Sequence, residues 1–374
     1  MEGVVGQLAV VQIAVLAVIS VPVIYWIIMR VSRISGGETI QTEKRDWEVC
    51  ILLPMKNEKK NVIRKIESVI EEIISSSNTT IVVVDSGSND GTAELAKSAL
   101  EESGLNSSRW RVLSFSRPGK SVAINRAMEE LDAEIIVMSD ADARVYPGWF
   151  DRIIERLGDE EVGVVSGMER PFGRTTKNFT GYYREKSNFL RCQESYSGST
   201  PVLEGSLMGW KVSALGDFRL NEGMNADDAQ IGLQSIRMGY RSIVDEKISF
   251  SDFDDGDRTI GESIRRSQGL SLALLSSFDL VFLAERKARM AIINAIILYV
   301  IFPWMVLIFA VNSVVAFSMA PVISTNWPML SLALMAVVLT LPQGRSVCKG
   351  VFISLVAHMQ ILVGRRYHSW DPVR

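Results

Sequence analysis

Leu8 to Met29 is an almost unbroken apolar stretch, reading LAVVQIAVLAVISVPVIYWIIM. About 20 such residues cross the hydrocarbon core of a bilayer as a helix, so this segment predicts a membrane span. Arg30, Arg33, Lys44 and Arg45 follow it. Positive charge collects on the cytoplasmic side of a span, so the N-terminus is expected outside and the chain after it inside. A cleaved signal peptide would carry its charge before a shorter apolar segment, which fits less well. The mean hydropathy of +0.17 and 47% hydrophobic residues agree with more than one membrane segment.

Ile292 to Phe317 is a second span, preceded by Arg286, Lys287 and Arg289, and Trp327 to Leu341 is a third. The connection between them lacks Lys and Arg, as expected outside, and Arg345 and Lys349 return the chain to the inside. Val351 to Val363 is short, contains His358 and Gln360, and precedes Arg365 and Arg366. It is expected to lie in the interface. The apolar stretch LSLALLSSFDLVFLAE, broken by Asp279 and Glu285, is expected along the membrane surface. The predicted organisation is an N-terminal membrane helix and linker over 1–45, a cytoplasmic domain over 46–260, interfacial helices over 261–290, two spans over 291–342, and an interfacial helix and tail over 343–374.

Within 46–260, strand and helix signals alternate. Strands are expected at 48–54, 80–85 and 110–115, and in the run Ile135-Ile-Val-Met-Ser139. Helices are expected at 57–76, 90–103 and 120–131. Apolar strands buried on both faces and separated by helices predict a parallel, doubly wound α/β sheet. Such sheets bind ligands at the carboxyl ends of their strands.

The polar residues gather in those loops. Pro54-Met-Lys-Asn57-Glu58 follows the first strand, and Asp85-Ser-Gly-Ser-Asn-Asp90-Gly-Thr92 the second. Asp85 is read as a ligand-facing acid and Asp90 as a helix cap. Arg117 and Lys120 follow the third strand, as cations for a diphosphate or as solvated charges. Asp140-Ala-Asp142 ends the fourth. Acids at this spacing are either a solvated turn or the ligands of a hard divalent cation shared with phosphate oxygens.

Several chemistries are excluded. The two histidines, His358 and His368, lie far from these loops, so a histidine triad or zinc site there is not expected. Cys50, Cys192 and Cys348 match no disulfide or zinc spacing. No G-x-G-x-x-G or G-x-x-x-x-G-K-[ST] occurs, and the net charge of -3 gives no sign of nucleic-acid binding.

The ordered series PMKNE (54–58), VVVDSGSNDGT (82–92), RPGKSVAINRAM (117–128) and SDAD (139–142) resembles the nucleotide-sugar-binding half of family 2 glycosyltransferases with the GT-A fold. The resemblance covers most of residues 48–270. It implies a membrane-bound, inverting, metal-dependent hexosyltransferase with a Rossmann-like, mostly parallel sheet and a UDP- or GDP-sugar donor. Pro54, Asn57, Glu58, Asp85, Lys120 and Asp140 fall on the donor side, with Asp85 at the base. Asp142, with Asp140, falls on the ligands of Mn2+ or Mg2+.

In the second half, Asn225-Ala-Asp227-Asp228 opens a helix that ends at Gly239. Asp228 matches the family's catalytic base and Asp227 replaces its usual Glu. In Glu204-Gly-Ser-Leu-Met-Gly-Trp210, the tryptophan is a candidate for stacking on an acceptor sugar or for filling the core, and core is the preferred reading. The family's Q-x-x-R-W matches Glu262-Ser-Ile-Arg265-Arg266. Arg265 would neutralise the leaving diphosphate, and Arg266, standing where the family has Trp, is placed to meet lipid phosphate. That replacement favours single transfer to a polyprenyl- or dolichol-linked acceptor over processive polysaccharide synthesis. A non-catalytic membrane scaffold is a third reading, against which the retained acids Asp85, Asp140, Asp142 and Asp228 count. The expected partners are a nucleotide-sugar donor, a lipid-linked or glycan acceptor and membrane lipids, with no nucleic acid.

Overall fold

The computed structural model describes residues 2–32, 46–170, 179–252, 259–319 and 326–366. Arg33, Lys44, Arg45 and His368 lie outside them. The N-terminal apolar stretch is one helix, α1 (Glu2–Ser32). The expected strand–helix alternation follows as β1 (Val49–Met55), α2 (Val62–Ile73), β2 (Thr79–Asp85), α3 (Thr92–Glu102), β3 (Trp110–Ser114), α4 (Lys120–Glu130) and β4 (Ile135–Ser139). Helix α2 starts five residues later than its periodicity suggested, because 57–61 are drawn into a loop that bonds to the next one.

Beyond β4 the chain adds β5 (Ala143–Val145), α5 (Trp149–Leu157), β6 (Val162–Glu169), α6 (Phe179–Ser197), β7 (Leu207–Lys211), α7 (Asp227–Arg237) and β8 (Arg241–Asp252). The sheet order is β3-β2-β1-β4-β7-β6-β8-β5. The first four strands pair in parallel, as expected, with Val49 beside Thr79 and Ile135. The second half is mixed. Strand β7 runs antiparallel between β4 and β6, β8 is parallel to β6, and β5 is antiparallel at the edge.

Alternate residues of each strand feed opposite faces. In β1, Ile51, Leu53 and Met55 meet α2, α3 and α5 in one core, whereas Cys50 and Leu52 meet α4, α6 and α7 in the other. Burial on both faces explains the uninterrupted apolar strands. Trp210 is fully buried in the second core, and its neighbour Gly209 gives room to Ile153 on the opposite face. It fills the core and presents no face to an acceptor, which corrects its placement on the acceptor side.

The remaining helices form a separate layer: α8 (Ile260–Ser276), α9 (Leu280–Leu283), α10 (Arg286–Ile296), α11 (Phe302–Ser318), α12 (Trp327–Thr340) and α13 (Pro342–Leu362). A π-turn over Ile297–Ile301 makes α10 and α11 one helix of 33 residues. Helix α8 begins with a capping box between Thr259 and Glu262. Phe278, Phe282 and Leu283 at the α8–α9 turn are exposed, in keeping with a membrane-surface segment.

Two helices, Gly6–Ser32 and Arg286–Ser318, are long and apolar enough to cross a membrane. The third expected span is different. Helix α12 has only 14 residues, and the chain bends by 100° at Leu341 into α13. Val351 to Val363 is thus the second part of a longer helix. That helix is joined to α8 by Ser267–Ser354 (3.3 Å), Gln268–Gln360 (2.9 Å) and Ser271–His358 (2.9 Å). Trp304 of α11 donates to the other ring nitrogen of His358 at 3.1 Å. Helix α1 is held to α11 and α12 by a polar cluster in which Gln12 donates to Ser313 (2.9 Å) and Ser331 (3.3 Å) and accepts from Asn312.

Candidate active site

The loops at the carboxyl ends of β1, β2 and β3 are bonded to one another. Asn57, at a positive φ of 55°, donates its backbone N–H to Ser88 Oγ (2.8 Å) and accepts from Asn89 N–H at its side-chain oxygen (3.0 Å). Glu58 N–H donates to Thr92 Oγ1 at 2.8 Å. Asp90 accepts from the N–H and hydroxyl of Thr92 and from Lys59 N–H, so it caps the start of α3 as the sequence indicated. Gly119 N–H donates to Ser86 Oγ at 3.1 Å and ties in the third loop.

In this frame Pro54 is buried in β1 opposite Val84. Asp85 is buried at the end of β2, and its carboxylate accepts from Ser88 N–H at 3.3 Å. Arg117 is exposed and pairs with Glu222 at 2.8 Å, away from the strand ends.

Lys120 opens α4 and reaches two acids from opposite halves of the domain. Its Nζ lies 2.7 Å from Asp140 and 3.0 Å from Asp227. Burial alone would lower its proton affinity, but the two carboxylates override that and hold the ammonium above the usual lysine range. The D-x-D turn and the start of α7 therefore meet at one ammonium. Asp140 N–H donates to Ser206 O at 3.0 Å, which joins the turn to the segment before β7.

Asp227 and Asp228 occupy the first turn of α7, where the helix dipole favours carboxylates. Asp228 Oδ1 accepts from Ala229 N–H at 2.7 Å. Burial pushes its pKa up to about 6, and the Asp227 charge adds to the rise. Lys120 opposes it. Gly205 lies beside it, and a Cβ there would stand 3.4 Å from that of Asp228. Arg265, on α8, is within electrostatic reach of Asp227. Burial and the adjacent Arg266 lower its proton affinity slightly below the usual arginine range. Arg266 is exposed.

Asp142 is exposed at the mouth of the turn, and Asp140 is half-buried. Burial raises Glu58 to about 7, and Asp142, Asp140 and Asp90 add to the rise while Asn61 opposes it. This crowding of acids around one opening fits a divalent cation. No cluster of three His, Cys, Asp or Glu side chains with metal-binding geometry occurs among the described residues. Two carboxylates with open positions suit a hard cation completed by diphosphate oxygens and water.

One residue at the site was not singled out from the sequence. Lys65 on α2 is fully buried, and its Nζ donates to Ser139 Oγ (2.6 Å) and Ala143 O (2.9 Å), at the two ends of the D-x-D turn. Burial lowers it to about 7 against the pull of Asp140 and Asp142. A signal was present: Lys65 is the one charged residue on the stripe Val62, Lys65, Ile66, Val69, Ile73 that α2 buries. Glu204 is a second such residue. It pairs with Arg191 and adds to the negative charge around Asp228.

Known proteins share parts of this sequence and its fold. Residues 50–218 match Glycosyl transferase family 2. The glycosyltransferase AglE of Haloferax volcanii is 25% identical over 119 residues, covering 32% of this chain and 38% of its own. An uncharacterised glycosyltransferase of Escherichia coli K12, YibD, is 26% identical over 117 residues, covering 31% and 32%. The match thus spans about a third of the length of these curated relatives. The mannosyltransferase PcManGT of Pyrobaculum calidifontis, solved with GDP-Man and Mn2+, superimposes with a TM-score of 0.77 over 98% of this chain and 99% of its own, at 22% identity. The fold is shared over nearly the whole chain.

Proposed function

We propose, from the match of residues 50–218 to Glycosyl transferase family 2 and the shared fold, that this protein is a membrane-bound inverting enzyme that moves a sugar from a UDP- or GDP-sugar to a lipid-linked acceptor. The observation that carries the reading is the double ion pair of Lys120, which brings the D-x-D acid Asp140 and the α7 acid Asp227 to one point. Donor and acceptor groups then face the same opening. We assign 46–260 to catalysis and the flanking helices to the membrane. The catalytic domain is placed on the cytoplasmic side and the N-terminus outside.

Asp142, with Asp140, would hold Mn2+ or Mg2+. When bound, such a cation neutralises charge on the donor's diphosphate and makes it a better leaving group. The protein's own groups do the rest. Asp85 and the loop around Asn57 and Glu58 receive the nucleoside. Lys120 and Arg265 offset the negative charge that develops on the departing diphosphate. Asp228 takes the proton of an acceptor hydroxyl as its oxygen bonds to the anomeric carbon and the bond to the diphosphate breaks. The attack comes from the opposite face, so the configuration inverts. A carboxylate held near pH 6 is well matched to that task at neutral pH.

If the acceptor is instead a polyprenyl phosphate, its oxygen is already anionic and needs little help from a base. The two cases separate in one experiment. The purified protein is incubated with UDP- and GDP-sugars, membrane lipid extract and Mn2+ or Mg2+, and products are read by mass spectrometry for wild type and Asp228→Asn. A mono-glycosylated lipid from wild type supports the proposal. Retained turnover in Asp228→Asn then assigns a phosphate acceptor, and a loss of about 10²–10⁴-fold assigns a hydroxyl. Long polymer products would overturn single transfer, as would the absence of any metal-dependent product.

A further inference from the structure

We infer that Lys65 is a positioning residue for the D-A-D turn, a built-in counter-charge that holds Asp140 and Asp142 ready and makes retention of the cation depend on the donor diphosphate. The inference rests on the cation site proposed above. Lys65 extends from α2 beneath the turn, and its ammonium bonds one atom before the acids, Ser139 Oγ at 2.6 Å, and one after them, Ala143 O at 2.9 Å. Ser139 Oγ donates onward to Ser206 O at 3.0 Å, and Asp140 N–H donates to the same carbonyl. One buried cation thus fixes both ends of the turn and, through Ser139, the segment that runs to Gly205 beside Asp228.

The placement is costly for packing alone. Lys65 is fully buried on a stripe otherwise made of Val62, Ile66, Val69 and Ile73, where an apolar side chain would suit the surrounding core. Its two hydrogen-bond acceptors are neutral oxygens. The compensating negative charge comes through space from Asp140 and Asp142. Those are the same carboxylates that would hold the cation, so the ammonium and the cation draw on one source of negative charge. Repulsion between the Lys65 ammonium and a divalent cation held at the neighbouring carboxylates opposes binding of the bare cation. Loss of the ammonium should therefore tighten binding of the bare cation. In the native chain the two acids alone hold it weakly, and diphosphate oxygens supply the remainder, so the cation enters and leaves with the nucleotide.

The test is a Mn2+ titration followed by electron paramagnetic resonance, with parallel thermal melts, on the full chain in detergent. Mn2+ is used alone and with UDP or GDP. Lys65→Met is expected to bind Mn2+ alone about tenfold more tightly than wild type. Its metal-free Tm should fall, and Mn2+ should recover more of that loss than it adds to wild type. A purely structural lysine would lower Tm without tightening the metal. Lys65→Gln, which keeps a polar end without the charge, carries the same expectation if the Met variant does not fold. Equal or weaker Mn2+ affinity in the variants, with Asp142→Asn abolishing binding, would overturn the role of Lys65 alone. Unchanged binding in Asp142→Asn would overturn the cation site beneath it.

Discussion

Asp228 and Asp227 are adjacent in sequence and are assigned different tasks by their contacts. Asp227 is paired with Lys120, whereas Asp228 is half-buried beside it and pushed up to about 6. If Asp228 is the base, activity must rise with pH as it ionises, with a limb near pH 6. Asp227 raises that value, so Asp227→Asn should move the limb to lower pH, as a pH profile of kcat would show. Asp142→Asn should remove most metal-dependent turnover, by about 10²–10³-fold if the charge at the leaving group is the main loss. A Mn2+ dependence unchanged in that variant would contradict the assignment. Burial and neighbouring acids raise Glu58 to about 7, so its ionisation costs stability that is present below pH 4.5 and is lost as pH rises through 7. Glu58→Gln should therefore gain stability relative to wild type toward pH 8, measured as Tm against pH. Glu58 and Asp142 were legible because each stands in a loop directly after an apolar strand, and Asp227 and Asp228 because they open a helix that resembles the family's. Lys65 was passed over, because a lysine in an amphipathic helix ordinarily marks the solvated face, although its spacing puts it on the apolar stripe of α2.

At the scale of elements, β1 to β4 were legible because strands buried on both faces leave runs of apolar residues with polar ends. Strand β7, LMGWK, was not, since five residues with no alternation carry no direction and its partners β4 and β6 are distant in sequence. Helix α8 is the element that joins the proposed active site to the apolar helices. It carries Arg265, and Gly269 on it presses against the Asn225 carbonyl just before α7. A Cβ there would collide with that backbone atom, so Gly269→Ala should cost about 1–3 kcal/mol and displace Asp227 and Asp228. A lowered Tm accompanied by a loss of kcat larger than the change in donor KM would show both effects. A variant with native Tm and activity would mean that α8 can shift without disturbing α7.

Across the whole molecule, the apolar helices are joined to one another by polar side chains and to the α/β domain by packing. Gln12, Asn312, Ser313 and Ser331 link α1, α11 and α12, and α7 shares a core with α8, α9 and α10. Gln12→Leu should loosen α1 by about 1 kcal/mol, since polar contacts between membrane helices are individually modest. Faster proteolysis in the segment after α1, with donor binding unchanged, would report it. The two long apolar helices were legible from hydropathy, but the bend after α12 was not, because Leu341-Pro342 interrupts the helix without interrupting the apolar composition.

That bend bears on the lipid as well as the protein. The bonds from α13 to α8 keep α13 on the catalytic side, so on the proposed topology α12 must bring the chain back across the bilayer. At 1.5 Å per residue its 14 residues cover roughly 21 Å, against a hydrocarbon thickness of about 30 Å. On that topology a bilayer dimpled around α12 would meet it. Such a dimple lowers the headgroup plane beside α12, and membranes of short-chain lipid would accommodate this enzyme with the least elastic strain.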